Sequence, residues 1–120
     1  MPAPLVIDPQ TIENLRKLNP GDNDEFLREI IAIYLEDTPR RLVELEQGLR
    51  TADRPTFTRA AHSIKGSSAN VGAMAVRAVA ESLERRSANE DLAGLTGLIT
   101  ELKAEFERAR LEFARLLQRD

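Results

Sequence analysis

Residues 54–73 read RPTFTRAAHSIKGSSANVGA and contain His62, the one histidine in this chain of 120 residues. The pattern predicts a helix over about 54–70, since Asn70 and Gly72 tolerate the left-handed backbone at which helices often end. On a helical wheel of about 100° per residue, one group of apolar side chains lies roughly 140–180° from His62. These residues are Phe57, Ala60, Ile64 and Val71. The helix is therefore expected to pack through that face and to point His62 away from the core.

Two helices are predicted on the N-terminal side of this segment. A short one begins at Asp8 and Pro9, which suit a cap and a first turn, and ends at the Asn-Pro-Gly of 19–21. A long second helix begins near 22–24 and carries an apolar stripe. The stripe consists of Phe26, Ile30, Ile33, Tyr34, Leu42, Leu45 and Leu49. Pro39 either kinks this helix or starts a new one capped by Thr38, and we favour the kinked helix because the stripe resumes in phase.

Two more helices are predicted on the C-terminal side, over about 73–87 and 90–118, with a turn at 87–89. In the last of them the apolar residues alternate spacings of three and four, as in a bundle helix. The sequence lacks the period-two alternation that is typical of strands. Four amphipathic helices with short connections predict an all-α fold. We expect an antiparallel up-down four-helix bundle with a short N-terminal helix across one end, formed by residues 1–120 as a single domain.

The composition excludes several classes of function. A formal net charge of −3 and a pI of about 5.3 disfavour nucleic acid as a partner. The absence of Cys and the single His disfavour disulfides, thiolate nucleophiles and a zinc site. No signal peptide is visible, and the longest apolar cluster, 30–35, is too short to span a bilayer. We therefore expect a cytoplasmic protein with no membrane insertion, no metal and no cofactor of its own.

The residues that share the outward stripe with His62 suggest more than an incidental surface histidine. Gly66 lies four residues after His62, although a glycine within a helix costs about 1 kcal/mol relative to alanine. Together with Ala69, it leaves a flat strip that another protein could approach closely, unless it serves packing against a neighbouring helix. Lys65 lies within reach of the imidazole, where its charge would disfavour the protonated ring and could neutralise a phosphoryl group on it. An ordinary solvated lysine is the alternative.

This stretch resembles the motif of histidine-containing phosphotransfer (HPt) domains, which is His-x-x-Lys-Gly with a further Gly six residues on. His62, Lys65, Gly66 and Gly72 match it position by position. The preceding Arg-Ala-Ala of 59–61, the later Leu-Glu of 83–84 and the segment EFLREIIAIYLEDTPRRLVEL of 25–45 also fit the family. The resemblance covers nearly the whole chain, from about residue 7 to the C-terminus.

The resemblance implies a phosphorelay intermediate of two-component signal transduction. His62, through a ring nitrogen expected to be Nε2, would accept a phosphoryl group from a receiver-domain aspartate and pass it to an aspartate of another response regulator. The first receiver is expected to belong to a hybrid sensor histidine kinase. Lys65 and Gly66 would support His62 directly. The receiver is expected to bring Mg²⁺, and the chain would act as a monomer.

On the helix of His62, the residues expected to contact a receiver are chosen by their position on the helical wheel. Arg59, Ala69 and Thr58 are the candidates on the helix of His62. Further candidates on the second helix are Ile31, Leu35 and Thr38. The sequence has no glycine-rich phosphate loop, so we expect a phosphocarrier that cannot label itself from ATP and is not an enzyme by itself. The alternatives are a docking module that binds receivers or kinases without carrying phosphate, and a structural bundle that self-associates.

Overall fold

Aspartate side chains cap the N-termini of three helices and fix where those helices begin. The side chains of Asp8, Asp22 and Asp53 each accept a hydrogen bond from a backbone amide in the first turn that follows. These amides have no carbonyl partner within their own helix, so the carboxylates satisfy them and also favour the positive end of the helix dipole. The predicted cap at Asp8 is confirmed.

The computed structural model describes residues 3–118. Within the described residues the chain forms five α-helices and one 3₁₀ turn. They are α1 (Pro9–Leu18), α2 (Glu25–Arg50), α3 (Arg54–Val71), α4 (Met74–Ser87), the 3₁₀ turn (Leu92–Leu95) and α5 (Thr96–Leu117). None of these helices combines the length and the apolar character needed to cross a membrane.

The long helices are arranged as the sequence predicts. α3 packs between α2 and α4, α5 packs against α4 and α2, and α1 contacts one end of α2 and α3. The connections between α2 and α3 and between α3 and α4 are only a few residues long, so these neighbours run antiparallel. The all-α class and the four-helix bundle with a short N-terminal helix are confirmed.

Leu, Ile, Val and Ala fill most of the core, and a few aromatic and polar side chains lie among them. The ring of Tyr34 meets the rings of Phe106 and Phe113 edge-on, with centroids 5.9 and 6.1 Å away. The Tyr34 hydroxyl is 2.9 Å from Oγ of the buried Ser68 on α3. Burial raises the pKa of Tyr34 to about 12, so the hydroxyl stays protonated and available to this bond.

The apolar stripe of α2 differs in phase from the prediction. Ile33, which the sequence placed in the stripe, is 66 % exposed, and Phe26 and Ile30 are only partly buried. The buried positions are instead Leu27, Ile31, Tyr34, Thr38, Leu42, Leu45 and Gly48. The chain carries six apolar residues in succession over 30–35, so several phases are open to the first half of the helix. Packing against α3 selects the one that follows the spacing of three and four residues.

α2 continues through Pro39 without a break. Proline has no amide proton, so the carbonyl of Leu35 loses its intrahelical donor there. The preceding Thr38 is buried, and its hydroxyl donates to the carbonyl of Tyr34 at 2.7 Å, inside the same helix. The single long helix is therefore confirmed, the kink at Pro39 stays a prediction, and the alternative of a new helix capped by Thr38 is wrong.

The last helix begins later than predicted. Residues Leu92–Leu95 form a 3₁₀ turn, and α5 begins only at Thr96. Side chains three residues apart lie on the same side of a 3₁₀ turn, which allows Leu92 and Leu95 both to be buried. The side chain of Asp91 accepts from the amide of Ala93 and so caps this turn.

Gly48 marks the closest approach of α2 to α3. A Cβ added there would lie 2.8 Å from the backbone nitrogen of Phe57 and 3.1 Å from its Cα. Both atoms belong to a helix backbone, so the helices would have to separate. The stability of the bundle therefore depends on the absence of a side chain at this position.

We expect Gly48→Ala to lower the free energy of unfolding by about 1–3 kcal/mol, the range observed for overpacked interiors. Gly97→Ala is the matched control, because a Cβ at Gly97 in α5 meets no other part of residues 3–118 within 4 Å. The control should be neutral or stabilising by up to about 1 kcal/mol, since alanine favours helix. Urea unfolding followed by circular dichroism measures both. Equal stability of the two variants would contradict the close approach.

Candidate functional site

His62 lies on the solvent-facing side of α3, and 65 % of its side chain is exposed. The four apolar residues predicted to face the core are all buried: Phe57, Ala60, Ile64 and Val71. The predicted orientation of the helix is therefore confirmed. A partner can reach the imidazole without any rearrangement of the bundle.

A carboxylate from the next helix contacts both the histidine and the lysine of the motif. Glu84, in the last turn of α4, places Oε2 2.6 Å from Nδ1 of His62. Its other oxygen, Oε1, is 2.6 Å from Nζ of Lys65. Glu84 and Lys65 are partly buried, with 23 % and 28 % of their side chains exposed. Each carboxylate oxygen thus has one donor, and the imidazole is held at one of its two nitrogens.

The charge state of Glu84 fixes the proton on the imidazole. Partial burial alone would raise the pKa of Glu84, but hydrogen bonds and charge from Lys65 and His62 outweigh it and lower that pKa. Glu84 is therefore ionised at neutral pH and acts only as an acceptor. The ring must then donate through Nδ1–H. In a neutral imidazole this leaves the lone pair on Nε2, the nitrogen that does not contact Glu84.

The strip beside His62 is open. Gly66 is exposed, and a Cβ added there would meet nothing within 4 Å among the described residues. Close packing of Gly66 against another helix is therefore not the reason for a glycine at this position. Ala69, one turn further along α3, is partly buried and presents only a methyl group.

The remaining predicted docking residues differ in how available they are. Arg59 is exposed one turn before His62 and lines a small cleft with Arg41 and Ser63. Thr58 is half-buried, and its hydroxyl is 2.7 Å from that of Ser87 on α4, so it is engaged inside the molecule. The roles of Arg59, Ala69 and Thr58 toward a partner stay predictions.

The candidates on α2 need correction. Ile31 and Thr38 are each only 1 % exposed, because the stripe of α2 is shifted in phase, and neither can contact a partner. Leu35 is partly buried. Of the three, it is the one that offers any surface.

Comparison with known proteins identifies the family. A model of the Hpt domain matches residues 29–112. The chain belongs to the Hpt domain family. The match includes α3 and α4, and therefore His62, Lys65, Gly66 and Glu84.

Solved structures resemble this Hpt domain over almost its whole length. Histidine-containing phosphotransfer protein B from Pseudomonas aeruginosa PAO1 is 26 % identical, with a TM-score of 0.85, and the match covers 96 % of each chain. Histidine-containing phosphotransfer protein MtHPt2 from Medicago truncatula shares the fold at 24 % identity and a TM-score of 0.81, over 94 % of this chain and 79 % of that chain.

Curated relatives match part of their own length. Phosphorelay intermediate protein rdeA of Dictyostelium discoideum is 32 % identical over 83 residues, which is 69 % of this chain and 33 % of the relative. Multistep phosphorelay regulator 1 of Schizosaccharomyces pombe (strain 972) is 28 % identical over 79 residues, 66 % of this chain and 27 % of the relative. The chain thus spans about a third or less of these two proteins.

Glu84 is the residue that reasoning from the sequence missed as part of the site. It appeared there only as half of the Leu-Glu pair that fits the family. The signal was present, because an acidic residue in the predicted fourth helix can pair with Lys65. What the sequence did not supply is the register between α3 and α4, which decides which of the acids on α4 reaches His62.

The lowered pKa of Glu84 predicts a pH-dependent contribution to stability. The contribution is present above the ordinary glutamate pKa of 4.5 and is lost as the pH falls through the lowered value in the folded state. We expect Glu84→Gln to lower the free energy of unfolding at about pH 7 by up to roughly 1 kcal/mol, as for partly exposed ion pairs. The difference from the wild type should shrink toward about pH 3. Urea titrations at both pH values measure it.

Glu81→Gln is the matched control for this prediction. It removes the same charge one turn earlier on α4 and leaves the contacts of Glu84 with His62 and Lys65 in place. A pH dependence that Glu81→Gln reduces as much as Glu84→Gln would mean that net charge, not this contact, is responsible.

Proposed function

We propose that this Hpt domain is a phosphorelay intermediate that carries the phosphoryl group on His62. It accepts the group from an aspartyl phosphate on one receiver domain and passes it to an aspartate on a second. The observation that carries the proposal is the hydrogen bond from Nδ1–H of the exposed His62 to Glu84, which leaves Nε2 as the nucleophile. The names of the relatives support the same activity.

The phosphoryl transfer needs no general base. The lone pair of Nε2 forms the N–P bond while the P–O bond of the aspartyl phosphate breaks, and the aspartate leaves as a carboxylate. No proton is released, because Nδ1 keeps its hydrogen, and the phosphorylated ring gains positive charge. Glu84 lies 2.6 Å from Nδ1 and stabilises that charge. The return transfer to the second receiver follows the same steps in reverse.

Lys65 and Gly66 support this chemistry in different ways. The ammonium group of Lys65 keeps Glu84 ionised and adds a positive charge near the incoming phosphoryl group. Gly66 leaves the backbone of α3 uncovered, so a receiver can bring its phosphate close to His62. Orientation and charge stabilisation account for most of the catalysis in phosphoryl transfer. Arg59, Ala69 and Thr58 are proposed to flank the docked receiver.

Two receiver domains are the proposed partners. The donor is the receiver domain of a hybrid sensor histidine kinase, and the acceptor is the receiver of a response regulator. The receiver supplies Mg²⁺ to shield the phosphoryl oxygens. The chain works in the cytoplasm as a monomer and cannot use ATP directly. Support for receiver domains as partners comes from the phosphorelay relatives and from the exposure of His62.

We expect His62→Gln to abolish transfer from a phosphorylated receiver domain while circular dichroism shows an unchanged fold. The wild type should gain phosphate that is labile in acid and stable in base, and incubation with labelled ATP and Mg²⁺ alone should leave it unlabelled. Ser63→Ala, on the neighbouring residue of α3, is the control and should still be labelled. If the wild type binds the receiver but gains no phosphate, the docking module is supported instead. If the wild type neither binds the receiver nor gains phosphate, a structural bundle is supported.

We expect Gly66→Leu to slow transfer by on the order of tenfold to a hundredfold, because a side chain there holds the receiver away from His62. The helix itself should not suffer, since leucine favours helix more than glycine does. The same change at Gly97, which is equally open but lies on α5, should leave the rate unchanged. Rapid-quench kinetics with a phosphorylated receiver measures both rates. If Gly66→Leu transfers phosphate at the wild-type rate, a receiver does not need to approach closely at Gly66.

A further inference from the structure

Two hydroxyl groups and a guanidinium join the first turns of α3 to the last turn of α4. Ser87 is fully buried, and its Oγ donates to the backbone carbonyl of Glu84 at 2.9 Å. Thr58 Oγ1 lies 2.7 Å from the same Oγ. Ser87 has a single hydroxyl proton, which it donates to the backbone carbonyl of Glu84. Thr58 must therefore be the donor in this second bond. The hydrogen bonds therefore run in one direction, from Thr58 through Ser87 to Glu84.

Arg54 adds a charged contact at the same place. Its Nη1 donates to the carbonyl of Ser87 and, at 2.9 Å, to that of Glu90. The carbonyls at the end of a helix have no partner in the helix and carry its negative dipole end, so a guanidinium is favoured there. Arg54, Thr58 and Ser87 are called the α3–α4 clamp below.

Two members of the clamp lie about one helical turn from His62 and from Glu84. Thr58 comes four residues before His62 on α3, and Ser87 comes three residues after Glu84 on α4. Glu84 thus belongs to the last turn of α4, and terminal turns open more readily than helix interiors. An open last turn would carry the carboxylate away from the ring, since the Glu84 backbone is part of it.

We infer that the α3–α4 clamp positions Glu84 against His62 and so fixes the tautomer of the imidazole. Its members act through Glu84 and touch neither the phosphoryl group nor the reacting nitrogen. The consequence for transfer rests on the proposed function, whereas the consequence for the tautomer does not. Thr58, which the wheel placed on the docking stripe, thereby acquires a role inside the molecule.

Ser87→Ala and Ser68→Ala test the inference as a matched pair. Both serines are fully buried, and each contacts the hydroxyl of another residue, Thr58 for Ser87 and Tyr34 for Ser68. Both changes should therefore lower stability to a similar extent. Ring ¹⁵N chemical shifts of His62, measured without any partner, report which nitrogen carries the proton. We expect Ser87→Ala to move the ring proton of His62 from Nδ1 toward Nε2 in part of the population. Ser68→Ala should leave the His62 chemical shifts at their wild-type values.

Thr58 provides a second test in case Ser87→Ala does not fold. Thr58→Val keeps the shape of the side chain but removes the donor, and Thr58→Ser restores the donor. We expect the valine variant to move the His62 shifts and the serine variant to return them to the wild-type values. Rescue by serine identifies the hydroxyl, rather than packing, as the cause.

Transfer kinetics complete the design. A rate reduced about threefold to tenfold in Ser87→Ala and Thr58→Val, but not in Ser68→Ala, is expected when one hydrogen bond that holds a group in place is lost. Unchanged His62 shifts in both Ser87→Ala and Thr58→Val would overturn the inference, even if stability fell. If the wild type transfers no phosphate, the proposed function fails, and altered shifts in these variants would still support the clamp.

Discussion

The packing of α3 between α2 and α4 is the constraint on which the rest of this structure depends. One face of α3 is buried against both neighbours, so the opposite face must meet solvent, and His62 lies on it. The same packing brings the end of α4 beside the middle of α3 and delivers Glu84 to the imidazole. The site is thus a consequence of how three helices bury their apolar faces. It needs no loop and no cavity.

A single carboxylate organises the charges of this site. Glu84 accepts hydrogen bonds from His62 and Lys65 at once. The sequence suggested a lysine that acts directly on the ring, whereas in the structure Lys65 also acts through Glu84. An isolated lysine beside an imidazole repels the protonated ring. A lysine that shares a carboxylate with the ring instead keeps that carboxylate ionised. The ring nitrogen that contacts Glu84 then holds its proton, and the other nitrogen stays free for an electrophile.

The sequence predicted α3 well and α2 less well, and the reason lies in where their apolar residues are. On α3 the large apolar residues are few and separated by polar ones, so one helical phase satisfies them. On α2 the run over 30–35 satisfies several phases, and Ile33 was assigned to the core although it is exposed. The contact of Glu84 with His62 depends on the register between two helices, which no pattern within one helix encodes. The same holds for Thr58 and Ser87.

Gly66 separates the demands of folding from those of recognition. Packing gains nothing from a glycine there, since in the part of the chain that the structure describes no atom of another helix lies within 4 Å of the place where a Cβ would be. Alanine would favour the helix by about 1 kcal/mol. Gly48 is the opposite case, because a Cβ there would collide with the backbone of α3. Two glycines in two adjacent helices therefore have different causes. The one at position 48 lets α2 approach α3, whereas the one at position 66 has no packing role among residues 3–118 and lies where a receiver is proposed to come close.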